Sequence, residues 1–312
     1  MTQQFGGSYD IVVIGSGIAG LCAATTAARE GMQTLALTGG FLGGQLLNIA
    51  KIDGYPGYPE GVPGFILCPA SEEQASEAGA EFAAVPVTGI GQTPGGWNIS
   101  TAEGACTARA VIIATGASLK TLGLDGEERL FGKGVSHCAS CDAPLLRGRP
   151  VAVAGGGDSA LQEALTLAPV AAKVTIIASG ERLTAQKAYL DQIAGLNNVE
   201  VRLNSKLTGI IGEDDLKRVR IAGPDGADDT IDVDSLFVFV GLRPNTGWLG
   251  DVAPLDDAGF IKVDMAMRTG LPGLYAAGTV RAGSAFRAVA AAGDGAAAAL
   301  SAVADLRDGL QT

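Results

Sequence analysis
Short apolar runs closed by turn residues recur along the chain, at 10–14, 34–37, 110–116, 151–154, 174–178, 236–240 and 274–278. Runs of this length bounded by glycine or polar residues read as strands buried on both faces of a parallel sheet. Alanine-rich stretches of helical length lie between them. One ends before Gly31, a second stops at Pro169, and a third covers about 284–306. No low-complexity linker interrupts the order.

Two segments share one layout. Asp10-Ile11-Val12-Val13-Ile14 leads into Gly15-Ser16-Gly17-Ile18-Ala19-Gly20 and a helix. Val151-Ala152-Val153-Ala154 leads into Gly155-Gly156-Gly157-Asp158-Ser159-Ala160 and another helix. Each is followed by a further strand, so both are βαβ units and imply two nucleotide-binding folds. The expected class is α/β, with two Rossmann-like, three-layer ββα dinucleotide-binding domains, the second inserted into the first. The expected boundaries are 1–116 with 245–312 for the outer domain and 117–244 for the inserted one.

Gly15, Gly17 and Gly20 form a GxGxxG between a strand and a helix. The first glycine permits the turn, the second lets backbone approach a pyrophosphate, and the third lets helix and strand pack closely. The helix N-terminus adds N–H donors and partial positive charge. Gly155, Gly157 and Ala160 match the GxGxxA variant. There the strand end reads Ile177-Ala178-Ser179-Gly180-Glu181-Arg182, with Glu181 too late to hold a ribose and Arg182 alone as a cation. On that ground NADPH is disfavoured, and a retained scaffold that has lost its ligand is the alternative.

Composition narrows the function further. The 312 residues are 47% hydrophobic and 18% charged, enough for a buried core. The net charge of -11, with no strongly basic stretch, argues against a nucleic-acid partner. Residues 1–10 carry no Lys or Arg and no apolar core, and no apolar run approaches the roughly 20 residues that span a bilayer. A soluble, cytoplasmic protein without a membrane partner is expected. Five cysteines are too few and too scattered for a secreted disulfide framework.

Cys138-Ala139-Ser140-Cys141 is the strongest chemical signal. Two thiols at this spacing can close a disulfide with little backbone movement if they open a helix, whose N-terminus also stabilises the attacking thiolate. A zinc site needs about four ligands, and only His137 lies nearby, so redox chemistry is preferred over zinc and over two unconnected packing cysteines. Asp142 reads either as an acid/base beside the dithiol or as an ordinary helix N-terminal charge. His137 is expected to be a surface residue. Cys22, Cys68 and Cys106 are expected to be packing residues. Arg281 and Arg287 flank the start of the last helix, where cations are out of place, and suggest an anionic ligand or partner.

The order of these motifs resembles the low-molecular-weight thioredoxin reductase family over nearly the whole chain. The matching residues are Gly15 to Gly20, Gly43-Gly44-Gln45-Leu46, Tyr55-Pro56-Gly57, Ala114-Thr115-Gly116, Cys138 to Asp142, Gly155 to Ala160 and Ala276-Ala277-Gly278. The resemblance implies an FAD domain formed by both chain ends, an inserted domain carrying the dithiol, and a homodimer. It implies FAD contacts at Gly15, Ser16, Gly17, Ala19, Gly44, Gln45, Thr115, Gly116 and Gly278, with Thr279, Arg287 and Ala288 as altered contacts. It further implies that Cys141 takes electrons from the flavin, Cys138 attacks a thioredoxin-like protein, and Asp142 serves as acid/base. Hinges are implied at 116–118 and 241–245.

Departures from the family pattern bear on the donor. Ala178-Ser179-Gly180 and Thr184 stand where typical members have the basic residues for the NADPH phosphate. Thr279 stands in place of a carboxylate, Arg287-Ala288-Val289 in place of Arg-Gln-Ala, and Gly54 in place of an asparagine near the flavin. The resulting expectation is a donor other than NADPH, such as reduced ferredoxin, docked on a patch that Arg243, Arg281 and Arg287 could supply. The alternatives are an NAD(P)H-dependent reductase, a dithiol oxidase using oxygen, and a non-enzymatic FAD-binding protein.

Overall fold
The first apolar run becomes β1 (Ser8–Ile14), followed by α1 (Ile18–Arg29) and β2 (Thr34–Leu37), in a computed structural model that describes residues 6–40, 42–224, 226 and 228–309. β1 and β2 run parallel, with Ile14 opposite Leu37. Then come α2 (Gly64–Glu77), β3 (Glu81–Ala83), β4 (Val87–Thr93), β5 (Gly96–Thr101), β6 (Gly104–Ile113) and β7 (Ala117–Leu119). α2 runs through Pro69, which lacks a backbone donor, so no helix is legible there from pattern alone.

The middle of the chain supplies β8 (Val135–Ser136), α3 (Ala139–Asp142), β9 (Pro150–Ala154), α4 (Asp158–Leu167), β10 (Lys173–Ile177), α5 (Lys187–Ala194) and β11 (Val199–Arg202). A small antiparallel sheet of β12 (Lys206–Ile211), β13 (Arg218–Ala222) and β14 (Asp228–Asp232) follows. The chain then adds β15 (Ser235–Val238) and β16 (Leu242–Pro244) before β17 (Leu274–Ala276) and α6 (Ala288–Arg307).

These elements form two units, one of residues 1–118 with 243–312 and one of 119–242. In the first, the sheet order is β3-β2-β1-β6-β5-β4, with β17 also on β6. β6 is long because it does two jobs. Its start pairs antiparallel with β5, and its end pairs parallel with β17, Ala276 lying opposite Ile113. In the second unit a parallel sheet runs β11-β10-β9-β15-β8. β7 and β16, on the two links between units, pair as a ribbon. This is the α/β class with two Rossmann-like folds.

α1 and α6 pack through alanines, among them Ala23, Ala27, Ala298 and Ala302, all fully buried. The backbones come close enough that a Cβ on Gly295 would sit 2.0 Å from the Ala19 carbonyl oxygen. α6 begins at Ala288, later than the expected 284, because Phe286 has φ 52° and its N–H turns to Ser284 Oγ at 3.3 Å. Among the described residues one helix, α6, is long and apolar enough to cross a membrane by length and composition, contrary to the expectation that no apolar run approaches that length. Its buried stripe, which includes Asp294, belongs to the core of the first unit instead.

Candidate functional site
The Cys138–Cys141 pair is closed as a disulfide, with Cα atoms 5.4 Å apart. Cys138 is the N-cap of α3, and its Sγ accepts the Cys141 N–H at 3.3 Å. The Cys138 N–H donates to Ser136 Oγ at 3.1 Å, and the Ala139 N–H donates to Glu163 Oε2 at 2.7 Å. A sulfur that accepts a helix N-terminal N–H is stabilised as thiolate once the disulfide opens. Cys138 and Asp142 are half-buried and Cys141 is exposed. Asp142 ends the same turn, its N–H donating to the Cys138 carbonyl at 3.3 Å.

His137 is not the surface residue expected. It is half-buried, its ring stacks obliquely on Phe131 at 5.3 Å between centroids, and its Nε2 is buried without a hydrogen-bond partner. Burial pulls its pKa down, partly opposed by the Glu127 carboxylate, so the neutral ring is favoured.

The remaining thiols are inert by environment. Cys68 and Cys106 are buried, Cys106 on β6, and Cys22 is half-buried in α1. Burial pushes each of the three thiols up to about 11, so at pH 8 about one in a thousand is ionised. Alkylation of the folded protein at pH 8 should therefore label no thiol before reduction and two afterwards. Denaturation should raise the count to five. A third thiol labelled rapidly in the reduced native protein would contradict this assignment.

The glycine turn of the first unit gathers the expected FAD positions. A Cβ on Gly15 would lie 2.4 Å from the Ala114 carbonyl oxygen, and one on Gly20 would lie 1.9 Å from the Gly15 oxygen. Both positions are therefore closed to side chains. Gly17, the N-cap of α1, has open space where its Cβ would be, and the first turn of α1 carries no acidic residue. Ser16 is buried; its carbonyl accepts the Gly43 N–H at 2.9 Å, and Gly17 bridges to Gly43. Gly44 and Gln45 follow directly and are exposed. Gly278, with φ 77°, packs so closely on Ala19 that a Cβ would reach its methyl at 2.7 Å. An uncapped, acid-free helix N-terminus opening onto free space fits the diphosphate of a dinucleotide.

Thr115 and Gly116 are braced by Asn245, a residue missed by motif reading. Thr115 Oγ1 donates to the Asn245 carbonyl at 3.0 Å, and Asn245 Nδ2 donates to the Thr115 carbonyl at 2.9 Å. The Asn245 N–H also reaches the Gly116 carbonyl at 3.0 Å. Thr279 lies half-buried next to Gly278, Arg287 caps α6 from an exposed position, and Ala288 opens that helix.

Arg281 corrects an expectation. Its anionic partner lies within the chain: Nε and Nη2 donate to Asp294 Oδ2 and Oδ1 at 2.7 and 2.8 Å. The pair is largely buried, and the Gly278 N–H donates to the same carboxylate at 3.2 Å. Arg281 thus fixes the turn after β17 and is not available to a docking patch.

In the second unit the Gly155 turn is tied to its own chain. The Gly156 carbonyl accepts the Thr184 N–H at 2.8 Å, and Asp158 Oδ1 accepts the Gln186 N–H at 2.7 Å. Beyond β10, Ala178 is buried, and Ser179, Gly180, Glu181 and Arg182 are exposed, with Arg182 the one cation among them.

Residues 9–295 match the family described as pyridine nucleotide-disulphide oxidoreductase. The chain is similar to a thioredoxin reductase from Treponema pallidum, 39% identical over 292 residues and covering 93% of this chain and 95% of that one. It is also similar to the crystal structure of T. acidophilum thioredoxin reductase, with 34% identity, TM-score 0.91 and coverage of 96% and 99%. A ferredoxin-flavin thioredoxin reductase from Clostridium acetobutylicum matches at 28% identity and TM-score 0.54, over 97% of this chain and 100% of that one.

Proposed function
The chain belongs to the pyridine nucleotide-disulphide oxidoreductase family, and from that premise we propose that it passes electrons through FAD and the Cys138–Cys141 pair to a thioredoxin-like protein. It is an FAD-dependent disulfide oxidoreductase, and the glycine cradle around α1 is its cofactor site. The observation that carries the reading is the disulfide at the start of α3, with one sulfur held by the turn's own N–H. We read the protein as a soluble, cytoplasmic homodimer, in keeping with the family resemblance.

FAD, when bound, would supply a centre able to take a hydride or single electrons from the donor and hand on a pair, which suits the two-electron disulfide couple. Gly15, Ser16, Gly17, Ala19, Gly44, Gln45, Thr115, Gly116, Gly278, Thr279, Arg287 and Ala288 are the residues assigned to hold it. The chain's own chemistry then runs through the dithiol form. Cys138 gives its proton to Asp142 and attacks one sulfur of the partner's disulfide, forming a mixed disulfide and releasing the other sulfur as a thiolate, to which Asp142 passes that proton. Cys141 next attacks Cys138, re-forming the intramolecular pair and releasing the partner's second sulfur. The partner gains two electrons and two protons; the pair loses as many.

The donor has two readings. Similarity to proteins named thioredoxin reductase supports a nicotinamide nucleotide better than the donor expected from sequence. Reduced ferredoxin is favoured by a specific observation, Arg182 as the one cation among residues 178–182 directly after β10. Anaerobic titration of the yellow protein with NADPH, NADH and reduced ferredoxin, followed by flavin absorbance and free thiols, separates them. Bleaching by micromolar NADPH or NADH establishes the first, and bleaching by ferredoxin alone establishes the second. A flavin reduced by any of them that never opens the disulfide would end the whole proposal.

A further inference from the structure
Helix α4 carries a charge where its pattern calls for an apolar residue. Its buried positions include Ala160, Glu163, Ala164 and Leu167, the i, i+3, i+4, i+7 stripe of a core-facing helix. Glu163 is 6% exposed and belongs to that stripe, beside an apolar cluster that includes Ala139, Ala143, Leu161 and Ile176. A carboxyl in such a place costs stability unless it is bonded. Its bond goes to the backbone of the redox turn, from the Ala139 N–H at 2.7 Å.

That N–H belongs to the residue after Cys138, at the first position of α3. The turn therefore has its N-terminal donors divided. Cys138 Sγ takes the Cys141 N–H, and the carboxylate takes the Ala139 N–H. Burial raises the Glu163 pKa, and the Ala139 N–H is the group that opposes the rise; no cation contributes. On α4 itself Asp158 Oδ1 holds the Gln186 N–H, and the elements packed against α4 bring Asp142 on α3 and Tyr189 with the exposed Lys187–Asp191 ion pair on α5. Lys173 on β10 is paired with Glu200.

We propose that Glu163 is a positioning residue for the dithiol: its carboxylate holds the turn through Ala139 and, by its negative charge there, disfavours the thiolate and makes the Cys138–Cys141 pair a stronger reductant. The electrostatics follow directly. A negative charge at a helix N-terminus offsets the partial positive charge that would stabilise a thiolate at the same place. Destabilising the thiolate raises the free energy of the reduced form relative to the disulfide, which lowers the reduction potential.

This rests on the disulfide-reductase reading, and the test separates the two. The FAD-loaded protein is equilibrated at pH 8 with mixtures of reduced and oxidised dithiothreitol, and the dithiol fraction is counted by alkylation and mass spectrometry. Opening the pair consumes two electrons and two protons, both from the reagent, which closes to its cyclic disulfide. Glu163→Gln keeps an oxygen for the Ala139 N–H and removes the charge. It should shift the equilibrium about three- to tenfold toward the dithiol, up to ~30 mV for a two-electron couple, and lower the Cys138 thiol pKa read from the pH profile of alkylation. Glu163→Met, apolar and similar in size, should shift it in the same direction. A Gln variant with wild-type equilibrium and alkylation profile would overturn the proposal. So would failure of both variants to fold, since the carboxylate would then serve the fold alone. A wild-type pair that never opens reversibly would instead overturn the reductase reading.

Discussion
Cys138→Ser should lose reduction of a thioredoxin-like disulfide by at least about a thousandfold, because the hydroxyl is not ionised near neutral pH and cannot form the mixed disulfide. Flavin bleaching by the true donor should persist, since the glycine turn proposed to hold the cofactor belongs to the other unit and contains neither cysteine. Cys141→Ser should behave differently. Its Cys138 still attacks, but nothing resolves the mixed disulfide, so a covalent complex accumulates that dithiothreitol releases. Stopped-flow absorbance and non-reducing electrophoresis read both outcomes. Full turnover in the Cys138 variant would show that the pair is not the route, whatever the flavin does.

Gly17→Val should yield a folded but colourless protein. Open space surrounds the position where its Cβ would stand, and its backbone is extended with φ -67°, so valine meets no clash inside the fold. The isopropyl group instead projects over the N-terminus of α1, where a diphosphate must approach the backbone. Loss of those contacts should weaken FAD binding by about a hundredfold or more, with a circular dichroism spectrum like that of the wild-type apoprotein. Gly20→Ala is the contrast: its methyl would meet the Gly15 oxygen at 1.9 Å, so the turn itself must move and stability falls with cofactor binding. Retention of tightly bound FAD by Gly17→Val would place the cofactor elsewhere.

Much of the fold was legible because the sequence writes its strands as short apolar runs and its strand-to-helix turns as glycines. Thr34–Leu37 and Leu274–Ala276 lie within the expected runs, and the disulfide sits at the start of a helical turn, as the CxxC spacing requires. Other parts were hidden for identifiable reasons. α2 is masked by Pro69. The start of α6 depends on Phe286 adopting a left-handed φ, which no apolar pattern announces. The misreading of Arg281 has the same origin: a cation near a helix start looks misplaced until Asp294 is seen beside it. Glu163 was available as a charge on an apolar stripe, but its partner, a backbone N–H on another element, was not.

Local sequence determined the elements, the two glycine turns and the reactive pair, since each depends on neighbours within a few residues along the chain. Tertiary structure decided which groups surround them: Asn245 bracing Thr115, Asp294 neutralising Arg281, and Glu163 holding the turn between the two sulfurs. Those partners are far apart in sequence and meet only when helices and strands pack. Burial then fixes their charges and hydrogen bonds, because a polar group removed from water must find its partner inside the fold.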